Sequence, residues 1–214
     1  MIQTSRKITS DTWIKGTWEE YLELCDTPDL DKAKFYYFSG RMRIEMAPVG
    51  LDHSRDHSIV THAIYLYAGL RKIPLNGSDS CSYRKPGIRE AQPDLSFYVG
   101  DNAKAISYGT SIVDLNIYPC PDLVIEIAKT SLPDDLGEKR LLYEEFGVKE
   151  YWVVNVSTGE IIAFKIDNGG SRRIGESSVL QGLSMKILEE ALRRARESTH
   201  TEVSMWLMDT FQGS

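Results

Sequence analysis

The spacing of apolar positions changes from segment to segment along this chain, and each spacing predicts an element. Trp18, Tyr21, Leu22 and Leu24 follow Thr17 and Glu20 at capping-box spacing, which predicts a short helix to about Cys25. Two apolar runs, 35–38 and 42–46, flank Ser39-Gly40 and predict a hairpin ended by Pro48 and Gly50. Ile59, Ala63, Ile64, Tyr67 and Leu70 recur at helical spacing, predicting a long helix capped by Asp52 and running to about Arg71. A strand near 81–84, a turn at Pro86-Gly87 and a strand from Asp94 come next. Residues 101–118 read as a short helix and loop before a strand from Pro121. After Pro133 a helix stops at Gly147. A hairpin follows, 151–156 and 160–166 about Ser157-Thr158-Gly159, then a helix over 185–198. The weakly apolar tail, 197–214, has no pattern that decides its structure.

Two of the strands are apolar on nearly every residue. Leu95, Phe97, Tyr98 and Val99 form one, and Leu123, Val124, Ile125 and Ile127 the other. Such runs suit strands covered on both faces, and predict the centre of the sheet. Strands mixed with helices predict an α/β fold, a mixed β-sheet flanked by helices. No repeat, low-complexity tract or composition break divides the chain, so one domain is expected over 1–214.

Charge narrows the function classes. With 31 acids against 25 bases the formal net charge is −6, which argues against coating nucleic acid by bulk charge. A local basic groove, or an acidic site working through a bound cation, stays compatible with it. No apolar run approaches the ~18 residues of a spanning helix, and the first residues carry no apolar signal-peptide core, so no membrane association is expected. Cys25, Cys81 and Cys120 are few and far apart, suggesting neither a disulfide framework nor a zinc site, and a cytoplasmic location is expected.

The candidate chemistry lies in the two apolar strands. Each opens with Pro-Asp, at Asp94 and Asp122, and the second carries Glu126 in its middle. Burying an unpaired carboxylate costs several kcal/mol even after relaxation. If the strands are neighbours, Asp94 and Glu126 can meet on one side of the sheet, where their repulsion is relieved by a cation. Mg²⁺ (or Mn²⁺) takes one or two carboxylates and keeps several waters, leaving places for phosphate oxygens. The competing reading pairs each acid with an arginine or has it cap a loop. Alternation puts Lys129 on the face opposite Glu126, so Lys139 on the next helix is the better candidate to orient water, against its reading as a solvated helix lysine. Glu45 alternates with Ile44 and Met46, either lining the site or facing outward from the hairpin. His53 and His57 have i, i+4 spacing without a third zinc ligand, so His53 reads as a hydrogen-bonding residue lining the site. Arg84, Lys85 and Arg89, or Arg193, Arg194 and Arg196, are either phosphate contacts or solvated faces.

These pieces carry a resemblance. PD, then PDLVIEI, then EKRLLYEEFGVKEYWVVN is similar to the restriction-endonuclease-like PD-(D/E)XK superfamily and, within it, to the Uma-two family. The similarity runs from about Thr17 to Leu188, with YYFSGRMRIEMAPVGLDH and VLQGLSMKILE as supporting pieces. It is carried most specifically by Lys139, Tyr143, Gly147, Val148, Glu150, Tyr151 and Trp152. The resemblance implies a mixed sheet flanked by helices and Mg²⁺-dependent cleavage of nucleic acid, DNA before RNA. It implies Asp94 and Glu126 as catalytic, metal-holding acids, Lys139 as the catalytic lysine, Glu45, His53 and Tyr143 lining the site, and Asp122 in a structural role. Ala128 stands where the superfamily places its lysine, a departure that favours the alternative, a nuclease-like fold that only binds nucleic acid or protein. Hydrolysis of a small phosphorylated molecule is a third reading. Symmetric double-strand cutting often uses a homodimer, for which the sequence identifies no interface.

Overall fold

The structure, a computed structural model, describes residues 10–46 and 50–213; Pro48, expected to end the hairpin, and residues 1–9 lie outside these. After a two-residue strand β1 (Ile14–Lys15), the capping box forms: the Thr17 hydroxyl accepts from Glu20 N, and the Glu20 carboxylate accepts from Thr17 N at 2.9 Å. Helix α1 runs Trp18–Cys25. The hairpin is β2 (Lys34–Phe38) and β3 (Arg41–Glu45), turned by Ser39 and Gly40 at positive φ. Helix α2 (Leu51–Arg71) is capped by Gly50 rather than Asp52. Asp52 lies in the first turn, where negative charge suits the helix N-terminus, and pairs with Lys129 at 2.9 Å.

Strands β4 (Leu75–Asp79), β5 (Ser82–Lys85), β6 (Arg89–Ala91) and β7 (Leu95–Val99) follow. Then come a 3₁₀ turn at Gly100–Lys104, β8 (Ile112–Asp114), β9 (Leu123–Ala128), α3 (Leu132–Asp135) and α4 (Glu138–Phe146). Gly147 at φ +76° ends α4 as expected. The second hairpin is β10 (Glu150–Asn155) and β11 (Ile161–Asp167), extended by β12 (Gly170–Ile174). Helix α5 spans Met185–Ala195, and the undecided tail is helix α6 (His200–Gln212), opened by a Thr199–Glu202 capping box.

The strands form two mixed sheets rather than one. The first has the order β12-β11-β10-β9-β7-β4, with only β9 and β10 parallel; the second is β1-β3-β2-β6-β5-β8, with only β5 and β8 parallel. The strands after Asp94 and Asp122 are neighbours, Leu95 opposite Ile125, but β9 and β10 share the centre of their sheet. β10, with Tyr151, Trp152, Val153 and Val154 all buried, is as apolar as β9 and takes the central place expected of β7. The strands that the pattern did not predict are short, and β1, β4, β8 and β12 are edges. An edge keeps one flank in solvent and needs no apolar alternation.

The first sheet is covered on both sides. Ile125, Ile127, Trp152 and Val154 face a layer built from α2, α5 and α6. Val124, Ala128, Tyr151 and Val153 face Leu142 and Tyr143 of α4 and Tyr36 and Ala91 of the second sheet. Each such large apolar side chain contributes roughly 1.5–3 kcal/mol by leaving water. Glu126 alternates with Val124 and Ala128, so it points into this second layer, among aromatic rings. Among the described residues no helix is long and apolar enough to cross a membrane, and Cys25, Cys81 and Cys120 are free thiols.

Candidate active site

The antiparallel pairing of β7 and β9 brings Asp94 against Glu126. Asp94 N donates to Glu126 Oε2 at 3.3 Å. Asp94 Oδ2 accepts from Ile127 N at 2.7 Å and lies 3.4 Å from His53 Nε2, the first turn of α2 having carried His53 over the strand ends. Its other oxygen, Oδ1, forms an ion pair with the Lys34 ammonium. Glu126 Oε1 accepts from the Tyr143 hydroxyl at 2.7 Å and the Tyr36 hydroxyl at 3.4 Å, with Lys139 Nζ 3.8 Å away. Tyr143 and Lys139 share a face of α4 because they are four residues apart.

Lys139 is only 1% exposed. Its ammonium lies 2.8 Å from Glu45 Oε1, 2.9 Å from Asp135 Oδ1 and 4.3 Å from the centre of the Tyr36 ring. The joint between α3 and α4 sets this up. Gly137 lets the chain turn so that Asp135 and Lys139 converge; a Cβ there would meet the Pro133 carbonyl oxygen at 2.9 Å. Glu45 is also gripped by Arg43 at 2.8 Å, and Arg43 reaches Asp134 at 3.2 Å.

Burial and neighbouring charge divide the two acids. Burial pushes the Asp94 carboxyl up, yet Lys34 and His53 together hold it well below the usual carboxylate range. Burial pushes Glu126 to about 8, with Lys139 opposing and the Asp94 charge reinforcing the rise. Burial pulls Lys139 down, but Glu126, Asp135 and Glu45 outweigh it and hold its pKa well above the usual value. Lys139 is therefore a permanent cation and no general base. Burial raises Tyr36 and Tyr143, with Glu126 adding to each, so both stay protonated donors.

A pocket of about 300 Å³ opens beside this pair, roughly ten water molecules' worth of space. Four carboxylates (Asp11, Glu45, Asp94 and Glu126) and four lysines (Lys32, Lys34, Lys129 and Lys139) line it, with His53 and the backbone about Ile127. The donor set fits a hard divalent cation. It offers carboxylate oxygens with room for water; among the described residues Glu126 Oε2 has only the 3.3 Å contact from Asp94 N, and the nearest ammonium, that of Lys139, is 3.8 Å from Oε1. Among the described residues no group of three or more His, Cys, Asp or Glu side chains is arranged to hold a metal ion, so a closed zinc site does not fit and a hard cation on Asp94 and Glu126 would depend on water for the rest of its shell. His53 turns to Asp94 and His57 to Asp79, each at 3.4 Å, so the i, i+4 pair serves two different acids.

Asp94, Glu126, Lys139, Glu45, His53 and Tyr143 are thus together. Asp122 stands apart: its carboxylate accepts from Val99 N at 2.8 Å and Asn102 Nδ2 at 2.9 Å, fastening the far end of β7. Lys129 is at the pocket mouth, paired with Asp52. Arg84, Lys85 and Arg89 do not line the pocket; Arg84 pairs with Glu90 and Arg89 with Glu145. Arg193 and Arg194 pair with Glu190, and Arg196 turns to Asp56 and the Val156 carbonyl. Sequence reasoning missed Lys34, Tyr36 and Asp135. The hairpin carried a signal for the first two: Lys34 is directly opposite Glu45, and opposed residues project to one face, with Tyr36 two residues on. Asp135 had a weaker one, its i, i+4 spacing to Lys139.

Comparison with known proteins bears on the fold and the family. Solved structures similar to the chain include the crystal structure of a "putative nuclease belonging to DUF820" from Anabaena variabilis ATCC 29413. It has a TM-score of 0.57 and 18% identity, over 82% of this chain and 98% of that one, a likeness that speaks for the fold. No curated protein sequence matches closely enough to carry an argument. The family model described as "Putative restriction endonuclease", Uma2, matches residues 18–201, most of the chain. The chain belongs to the Uma2 family.

Proposed function

We propose that the protein is a metal-dependent endonuclease that hydrolyses phosphodiester bonds of nucleic acid, with DNA as its substrate. The observation that carries this reading is the contact between Asp94 and Glu126 at the edge of a pocket of about 300 Å³, with Glu126 buried and, among the described residues, its nearest ammonium 3.8 Å away. Structural acids in cores are normally provided with donors or a counter-ion. The description of the family supports the same activity.

Asp94 and Glu126 would hold Mg²⁺ or Mn²⁺, which when bound supplies a more acidic water and positive charge against the phosphate. The chain's residues do the rest. Tyr143 and Tyr36 fix the Glu126 carboxylate by hydrogen bonds to Oε1, leaving Oε2 toward Asp94. Ile127 N and His53 fix Asp94 through Oδ2. Beneath the pocket Lys139 pairs with Glu45 and Asp135, and Arg43 with Glu45, which offsets part of the negative charge that would repel a phosphate. Lys32 and Lys129 at the mouth are placed to meet phosphate oxygens.

The ion pair of Lys34 with Asp94 favours a second reading, a nuclease-like fold that binds nucleic acid without cutting it, because it satisfies Asp94 internally. Incubation of plasmid and single-stranded DNA with MgCl₂, beside the Glu126→Gln protein, separates the two. Cleavage by the wild type alone supports the endonuclease; equal residual cleavage in both, or binding with none in either, rejects it.

A further inference from the structure

We propose that Lys34 is the pocket's exchangeable cation: its ammonium holds Asp94 Oδ1 until a divalent ion arrives, and the displaced ammonium then serves the phosphate. This rests on the endonuclease reading and moves to Lys34 the role that the sequence suggested for Lys139.

The oxygens of the two acids decide it. Asp94 Oδ2 is occupied by Ile127 N and faces His53, and Glu126 Oε1 is occupied by two tyrosine hydroxyls. That leaves Asp94 Oδ1 and Glu126 Oε2 as the pair a cation would take, and Oδ1 is the atom Lys34 occupies. A divalent ion and Lys34 therefore compete for one oxygen.

The two lysines differ in their freedom to move. Lys139 is 1% exposed and tied to Glu45 and Asp135 over the Tyr36 ring, so moving it takes the cation from buried Asp135 and leaves Glu45 with Arg43. Lys34 begins β2 at the pocket wall, with its side chain 19% exposed, and among the described residues its ion-pair partner is Asp94 alone. Four methylene groups let its ammonium leave Asp94 without moving the strand. In place, burial lowers its pKa but Asp94 and Glu126 outweigh that, so the group on Asp94 Oδ1 is an ammonium.

The test pairs metal binding with cleavage. MnCl₂ alone is titrated calorimetrically into wild type, Lys34→Met, Lys34→Gln and Lys32→Met, each checked by circular dichroism. DNA cleavage is then measured at saturating Mn²⁺. Lys34→Met is expected to bind Mn²⁺ at least tenfold more tightly and cleave at least a hundredfold more slowly, with Lys34→Gln agreeing if the Met protein does not fold. A merely structural lysine cannot produce opposite changes in the two readouts. Unchanged or weaker Mn²⁺ binding by the folded variant overturns the proposal, as does undiminished cleavage. Equal tightening in Lys32→Met also overturns it, since removal of any nearby positive charge then explains the effect. A wild type that neither binds Mn²⁺ nor cleaves defeats the endonuclease reading itself, a result distinct from the others.

Discussion

Glu126 and Glu150 stand on adjacent parallel strands, both buried, and the chain provides for them in opposite ways. Glu150 accepts from the backbone N–H groups of Ser178 and Val179, the hydroxyls of Ser177 and Ser178, and Trp152 Nε1. Glu126 has two tyrosine hydroxyls on one oxygen and a 3.3 Å backbone contact on the other. Glu150 is held as a finished structural anion that clasps the segment ahead of α5. Glu126 is held in position by fewer donors, with the Lys139 ammonium 3.8 Å from Oε1.

Exchange of each acid for its amide should therefore have opposite consequences. Glu150→Gln places an NH₂ where donors already point, and is expected to cost on the order of 2–4 kcal/mol. Glu126→Gln is expected to leave stability unchanged or raised while cleavage of DNA with Mg²⁺ falls at least a hundredfold. Urea unfolding and a plasmid assay on both proteins check this.

The pH dependence follows from the same carboxyl. Burial raises Glu126 from its ordinary 4.5 to about 8, so the folded state binds this proton more tightly than the unfolded chain does. Its contribution is complete below about pH 4.5 and is lost as pH rises toward 8. Asp94 is shifted the other way, and its contribution is lost only as pH falls below the ordinary carboxylate range. In chelator-treated protein the melting temperature of Glu126→Gln should exceed that of wild type by several degrees more at pH 8 than at pH 5. A constant difference across that interval would contradict the assignment.

Loss of Lys139 should be read first in stability. Lys139→Met leaves Glu45 without its lysine and Asp135 with only the Ser131 hydroxyl, at 2.6 Å, and is expected to cost about 3–5 kcal/mol. Equilibrium unfolding that shows less than 1 kcal/mol of change would remove Lys139 from the buried network.

The α3–α4 joint offers a test without charge. Gly137→Ala drives a Cβ toward the Pro133 carbonyl and is expected to destabilise by roughly 1–3 kcal/mol. Because the joint aligns Asp135 with Lys139, cleavage should fall further than the lost folded fraction explains, measured below the variant's melting transition.

Much of this molecule is legible in its residue pattern, and the rest is missing for identifiable reasons. The capping box at Thr17, the hairpin about Ser39-Gly40, the stop at Gly147 and the doubly covered strands at Leu95 and Leu123 are local or periodic signals, which neighbours in sequence settle. Asp94, Glu126 and their adjacency follow from two like strands, each opening on Pro-Asp and one holding an acid that its own run cannot satisfy. Other features depend on partners distant in sequence. The second sheet needs β5 to pair with β8 across 26 intervening residues, and β10 takes its central place only by pairing with both β9 and β11. Which lysine serves which acid is likewise tertiary. Lys34 meets Asp94 from 60 residues away, while Lys139, which also lines the pocket, is paired with Glu45 and Asp135. Periodicity records which face a residue occupies; only the folded packing decides which charges become neighbours in a low dielectric.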